Sequence, residues 1–268
     1  MIPTAYVTEW QQSAPWSQPD MVEQDLVICR ALVEMFSDEH VAQRLAFRGG
    51  TALYKLCLLP AARYSEDIDL VQVDAEPIGP TLDSLRAILD PWLGKPKYDA
   101  RDHSFRLTYR FDSDLGTPLK LKVEINTREH IGDLVSLPFS VSSRWFSGTS
   151  NIQTFSLSEL LGTKLRALYQ RRKGRDLFDL DYALKNSDVD PEQVVAMFVR
   201  YVGGSGLRIS TSEFVDNLER KRGDRQFSQD IVPLLRTGIG YDVNAAAERV
   251  ANMLLARIDS AWESLLRR

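Results

Sequence analysis

The chain has 268 residues, 44% apolar and 26% charged, enough for a sizeable core in one large domain or two lobes. Its formal net charge of -4 and pI near 5.5 exclude a uniformly basic nucleic-acid coat but leave room for a local basic groove. The two cysteines, Cys29 and Cys57, lie in apolar helical patterns, which fits buried reduced thiols and argues against a disulfide framework or zinc site. The N-terminal residues lack a basic start followed by an apolar run, and no later stretch approaches the length needed to span a bilayer. These features predict a cytoplasmic protein with no membrane partner.

In chain order, the leader 1–20 ends where Asp20 and Glu23 stand in the relation of a capping box. Val22, Leu26, Cys29, Val33 and Phe36 follow at helical spacing and predict an amphipathic helix. A short helix from His40 to Leu45 leads into LAFRGG, where the glycines end a strand and open the helix TALYKLCLL. Pro60 closes that helix, and DIDLVQV has the β-branched content and alternation of a strand. Side chains alternate along a strand, so Asp67 and Asp69 share one face.

TLDSLRAILDPWLG reads as a helix and SFRLTYRF as a strand. PLKLKVEIN places Leu119, Leu121, Val123 and Ile125 on one side and Lys120, Lys122, Glu124 and Asn126 on the other. Paired with DIDLVQV in a suitable register, it would bring Glu124 to the two aspartates. Ser, Gly and Pro accumulate between Gly132 and Ser150, after which strands give way to helices. A boundary is expected there, with a core lobe over 1–149 and a mainly helical lobe over 150–268. The final helix is expected to carry Val250, Leu254, Ile258, Ala261 and Leu265 on one face.

Carboxylates clustered on one face repel one another unless a divalent cation neutralises them. Oxygen-only ligands favour Mg²⁺, with Mn²⁺ as the alternative, and either ion fills its shell with waters and substrate phosphates. D-x-D alone is common and equally describes a solvated strand end. Gly49 and Gly50 sharpen it, because glycine lets the backbone approach phosphate oxygens. The amides opening the next helix, with the Thr51 hydroxyl, can then donate to those oxygens. A third element runs from Leu160 to Arg175, with Lys164, Arg166, Arg171, Arg172, Lys173 and Arg175 and no acidic residue. It offers a positive face suited to a triphosphate or an RNA backbone, or simply a solvated helix. Asp176 and Asp179 follow, placed to orient those cations or a substrate hydroxyl, or to cap the next helix.

GGTALYK, RYSEDIDL, KVEIN and ELLGTKLRALYQRRKGRDLFDL, in this order over roughly Leu45 to Leu184, resemble the nucleotidyltransferase family of the AbiEii and MenT toxins. The resemblance implies an α+β fold: a DNA polymerase β-like core with a mixed sheet flanked by helices, then a helical C-terminal lobe completing the active site. Gly49, Gly50 and Thr51 match the phosphate-binding motif, with Lys55 at its basic end and Ser65 as a further phosphate ligand beside Arg63. Asp67 and Asp69 match the metal-binding motif. Lys164 matches a lysine implied to contact the triphosphate, and Asp179, or alternatively Asp176, an aspartate implied to be catalytic. Glu124 is left between metal binding and support of a neighbouring lysine. Arg166, Arg171, Arg172 and Arg175 are candidate RNA contacts, and ERKRGDR at 219–225 is a candidate extension of that surface.

The implied function is a metal-dependent toxin of a toxin-antitoxin or phage-defence system that transfers a nucleotidyl group from a nucleoside triphosphate to a cellular acceptor. For MenT-type members the implied acceptor is the 3′ end of tRNA, whose extension blocks aminoacylation and translation. An antitoxin encoded by a neighbouring gene is then an implied partner. Two other readings stay open. One keeps the chemistry but modifies a small molecule such as an antibiotic, or a protein hydroxyl. The other is a nucleotide- or partner-binding module without catalysis, which would be expected to have lost carboxylates that this chain retains.

Overall fold

The computed structural model describes residues 1–130 and 132–267, which divide into two compact units, Met1–Phe155 and Ser156–Arg268. In the first unit, helices α1 (Thr4–Trp10), α2 (Pro19–Ser37) and α3 (Glu39–Arg44) precede strand β1 (Leu45–Arg48). Then come α4 (Gly49–Ala52), a π-helical turn over Leu53–Cys57, β2 (Asp67–Gln72) and α5 (Gly79–Leu93). Strands β3 (Lys97–Arg101), β4 (Ser104–Asp112), β5 (Pro118–Asn126), β6 (Leu134–Ser142) and β7 (Ser147–Phe155) complete it.

Among the described residues the strands form a seven-stranded mixed sheet, in the order β3-β4-β5-β2-β1-β7-β6. The pairs β2–β5 and β1–β7 are parallel and the others antiparallel. Ile68, Leu70, Leu107, Tyr109, Leu121, Val123 and Ile125 form one buried face. Helix α2 packs on β5, β6 and β7, with α1 and α5 against it. That placement buries it almost all round, including Glu23, Gln24 and Asp25. The capping box expected at Asp20 and Glu23 does not form: Pro19 opens the helix, and buried Glu23 accepts the Ile2 amide (2.9 Å) instead.

Asp25, 1% exposed, is a hub on α2. Its carboxylate accepts the indole N–H groups of Trp10 and Trp16 (3.0 Å each) and meets the Lys55 ammonium at 2.6 Å. The Cys29 thiol also turns to it (3.6 Å). Both cysteines are free; Cys29 is buried as expected but Cys57 is only half-buried, and desolvation pushes their thiols up to about 12 and about 11.

The stretch from Gly132 to Ser150, which sequence composition marked as the lobe boundary, contributes to the antiparallel β6–β7 pair, and the units divide after Phe155. β6 is an edge strand in which exposed Ser136, Ser140 and Ser142 alternate with the more covered Val135, Leu137, Phe139 and Val141, while serine, threonine and asparagine dominate the first, more exposed half of β7. Arg30 on α2 staples the turn of this hairpin, its guanidinium lying over the rings of Trp92 (4.1 Å), Trp145 (4.9 Å) and Phe146 (5.4 Å).

The second unit is helical: α6 (Leu157–Gln170), α7 (Gly174–Asn186), α8 (Pro191–Gly203), α9 (Thr211–Arg222), α10 (Arg225–Gln229), α11 (Val243–Met253) and α12 (Ile258–Leu266). Ser156, Asp190, Ser210, Asp224 and Asp242 cap five of these helices through their side chains, which sets the breaks between them. The single long final helix expected from the spacing is in fact two, α11 and α12, separated by a 3-10 turn at Leu255–Arg257. Arg257 turns back to the Asn252 and Met253 carbonyls (3.3 and 2.8 Å), supplying donors where the helix stops.

Candidate active site

Opposite the buried face of the sheet, β2 and β5 run parallel, with Asp67 paired to Lys122 and Asp69 to Glu124. Arg48 of β1 flanks Asp69 and Arg106 of β4 flanks Glu124, so one row reads Arg48, Asp69, Glu124, Arg106 across four strands. The register expected from period-two alternation is the one observed. These side chains are half-buried, while their neighbours Ile68, Val123 and Ile125 are fully buried.

Chain geometry at the end of β1 presses against this row. Gly49 has φ +83°, a left-handed conformation, and a β-carbon there would collide with the Asp69 carboxylate. At Gly50 a β-carbon would meet the Arg63 guanidinium (2.5 Å) and the Ser65 hydroxyl (3.0 Å). The N-cap residue Arg48 gives no side-chain hydrogen bond to the first amides of α4; its guanidinium pairs with Glu129 at 2.6 Å.

Several sequence assignments change here. The Thr51 hydroxyl, 1% exposed, bonds to Ser65 (2.9 Å) and to the Asp67 carbonyl (2.5 Å). A carbonyl can only accept, so the one Thr51 proton serves the start of β2 instead of a phosphate. Lys55, expected at the basic end of the phosphate motif, is the partner of Asp25. Burial alone would lower its ammonium, but Asp25 outweighs that and holds it above the usual lysine range. Arg63, 2% exposed, packs over the Tyr54 ring at 5.0 Å.

Glu124 does not complete a three-carboxylate metal cluster. Arg106 holds it through two bonds (3.0 and 2.6 Å) and Ser104 donates to it (3.1 Å), so the neighbour it supports is an arginine. Among the described residues no group of three or more His, Cys, Asp or Glu is arranged to hold a metal ion. Asp67 and Asp69 remain, half-buried and on one face. Two carboxylates suit Mg²⁺, which binds through one or two of them and takes its remaining ligands from water and phosphate.

In the second unit, Lys164 of α6 lies between two aspartates of α7, 2.9 Å from Asp179 and 3.3 Å from Asp176. Both carboxylates are fully buried and Lys164 nearly so. Asp176 also holds the Arg171 guanidinium in a bidentate pair (2.7 and 2.8 Å). Burial alone would raise the Asp176 carboxyl, but Lys164 and Arg171 outweigh it and hold it below the usual carboxylate range. Lys221 of α9, which sequence reading left in a basic run, is buried and donates to the Leu168 and Tyr169 carbonyls at the end of α6. Burial pushes its ammonium down to about 8.

The continuous positive face expected over 160–175 is largely satisfied internally. Arg166 lies over the Tyr201 ring (5.1 Å), Arg171 holds Asp176, Arg172 pairs with Asp224 (3.3 Å) and Lys173 with Asp230 (3.4 Å). The Arg175 amide faces Asp230 (3.4 Å). Arg172 is the most open of these, with a side chain 70% exposed. The run at 219–225 is likewise engaged, through Arg222–Glu219 (2.8 Å), Lys221 and Asp224.

The model of the AbiEii family, described as nucleotidyl transferase AbiEii toxin of a type IV toxin-antitoxin system, matches residues 30–249. The chain belongs to that family. It is accordingly a nucleotidyltransferase toxin, and its family description implies a nucleoside triphosphate substrate and an antitoxin partner. The structure of the nucleotidyltransferase toxin MenT4 from Mycobacterium tuberculosis H37Rv aligns at 20% identity with a TM-score of 0.64, over 96% of this chain and 90% of that one. At this identity the likeness is one of fold. An antigenic nucleotidyltransferase-like protein from Paracoccidioides brasiliensis aligns at 17% identity with a TM-score of 0.41, over 69% and 89% of the chains. No curated protein sequence matches the chain. Among the described residues of this AbiEii-family toxin, no helix is long and apolar enough to cross a membrane.

Proposed function

We propose that this AbiEii-family toxin is metal-dependent and transfers a nucleotidyl group from a nucleoside triphosphate to the 3′ end of tRNA in the cytoplasm, blocking aminoacylation. The observation that carries the metal dependence is the pair Asp67 and Asp69, set on the open face of the sheet against the Gly49 backbone. These two carboxylates would hold Mg²⁺ or Mn²⁺, which when bound neutralises phosphate charge and stabilises the entering and leaving oxygens. Thr51 and Ser65 fix the start of β2, and Arg106 keeps Glu124 from adding a third negative charge in an unpaired form.

In the transfer, the acceptor hydroxyl gives up its proton to solvent as its oxygen bonds to the α-phosphorus, the bond from that phosphorus to the α–β bridging oxygen breaks, and pyrophosphate leaves. The family motif implies that Lys164 contacts the triphosphate and that Asp179, or alternatively Asp176, is catalytic. Buried aspartates on either side hold the Lys164 ammonium in place, a preorganised point charge of the kind that phosphoryl transfer uses. For the RNA, the most accessible cation is Arg172. Its pair with Asp224 is exposed, and such pairs contribute about 0–1 kcal/mol, so a phosphate can replace the carboxylate at little cost.

The test is incubation of purified protein with total tRNA, Mg²⁺ and each labelled nucleoside triphosphate in turn, beside Asp69→Ala. Label in tRNA with the wild type alone supports the proposal and names the nucleotide. Absence of label with all four, from protein shown to bind nucleotide and metal, moves the acceptor to a small molecule or a protein hydroxyl.

A further inference from the structure

Lys122 stands in register with Asp67 on the adjoining parallel strand. Its ammonium lies 3.0 Å from Asp67 Oδ1. That oxygen is buried and has no hydrogen-bond partner, so its charge is met by this ion pair, which lacks hydrogen-bond geometry. The pair is also partly open, with the Lys122 side chain 27% exposed and Asp67 35%. The flanking Glu124–Arg106 pair is as open, but two Arg106 N–H groups converge on Glu124 Oε2 while Ser104 donates to Oε1. The pair at Asp67 thus rests on charge alone, whereas the one at Glu124 is fixed by hydrogen bonds to both carboxylate oxygens.

We propose that Lys122 is an internal counter-ion of the metal site: it occupies Asp67 when no divalent cation is present and competes with the metal for that carboxylate. The inference rests on the reading of Asp67 and Asp69 as metal ligands. Two adjacent carboxylates destabilise each other in the absence of a cation, and an ammonium from β5 supplies that charge without a metal. A divalent ion binding Asp67 must displace it. The released ammonium, still tethered to β5 beside the carboxylates, then becomes available to the anionic substrate. Lys122 is by this argument a positioning residue, linking metal occupancy to the charge offered to the triphosphate.

The experiment is calorimetric titration of Mn²⁺, without nucleotide, into the full-length wild type, Lys122→Met, Lys120→Met and Asp69→Ala. Lys120 lies two residues along the same face of β5 and pairs with no carboxylate among the described residues, so its variant reports the effect of removing one nearby charge at long range. Competition predicts Mn²⁺ affinity about fivefold or more tighter in Lys122→Met, a smaller change in Lys120→Met, and loss of binding in Asp69→Ala. Thermal melts confirm that each variant is folded. Equal affinity in the wild type and Lys122→Met, with binding still lost in Asp69→Ala, overturns the competition and leaves the metal site standing. An equal gain in both lysine variants reduces the effect to general charge and also overturns it. Mn²⁺ binding to none of the proteins removes the metal reading itself, and the proposal with it.

Discussion

The Asp69 carboxylate fills the space that a side chain on residue 49 would need, and Gly49 sits beside it with φ +83°. The backbone turn out of β1 and the carboxylate on β2 therefore depend on each other. Gly49→Ala introduces a left-handed strain of about 1–2 kcal/mol and must push Asp69 aside. We expect a modestly lower melting temperature together with a loss of transfer of about a hundredfold or more. Retention of full activity by Gly49→Ala would separate the turn from the site.

Lys55 answers a different question. As the partner of buried Asp25, its removal leaves a desolvated carboxylate with fewer donors, so Lys55→Met should cost about 3–5 kcal/mol in urea unfolding. The KM for nucleoside triphosphate, measured below the unfolding transition, should stay near the wild-type value. A phosphate ligand would show the reverse pattern, with KM raised and stability spared.

Asp67, Asp69 and Glu124 are expected to behave unequally. Asp69→Asn and Asp67→Asn should each lower transfer by about a hundredfold or more, since a metal ligand supplies several kcal/mol of charge stabilisation. Glu124→Gln, whose carboxylate is taken by Arg106, should lower it by about tenfold at most. Chelation by EDTA should abolish transfer without lowering the melting temperature, and added Mg²⁺ or Mn²⁺ should restore it. A Glu124→Gln variant as inactive as Asp69→Asn would return the glutamate to the metal.

The Lys164–Asp176–Asp179 cluster gives the stability of the helical unit a signed dependence on pH. Asp176 in the folded protein ionises below its unfolded value of about 3.9. Its contribution is therefore complete above that value and is lost as pH falls through the folded one. At neutral pH, Asp176→Asn should be less stable than the wild type by about 3 kcal/mol. That gap should narrow as thermal melts are repeated below a pH of about 4, and a gap that held constant to pH 2 would contradict the assignment.

Much of the sheet was legible because its rule is local. Period-two alternation in DIDLVQV and PLKLKVEIN placed Asp67 and Asp69 on one face of their strand and Lys122 and Glu124 on one face of theirs, whereas the parallel pairing that brings the two strands together is set by topology and not by spacing. Partner choice was not local. The ammonium of Lys55 finds a carboxylate thirty residues earlier, and Glu124 chooses an arginine from the preceding strand; neither choice is visible in spacing. β3 escaped notice because it is an exposed strand of mostly polar residues, and the β6–β7 pair because the Ser, Gly and Pro content of 132–150 resembles a loop and masks the alternation of Val135, Leu137, Phe139 and Val141. The basic run in α6 and beyond looked continuous for a similar reason: its counter-charges Asp224 and Asp230 lie some fifty residues downstream.

The Asp25 hub bears on how the protein can be shortened. Two of its donors, Trp10 and Trp16, come from the leader, a segment that a sequence-based trim would discard as an unstructured tail. Without them a buried carboxylate on the helix beneath the sheet would keep Lys55 and little else. A truncation that begins at α2, and so removes both tryptophans, should thus raise protease sensitivity across the whole N-terminal unit, well away from the cut.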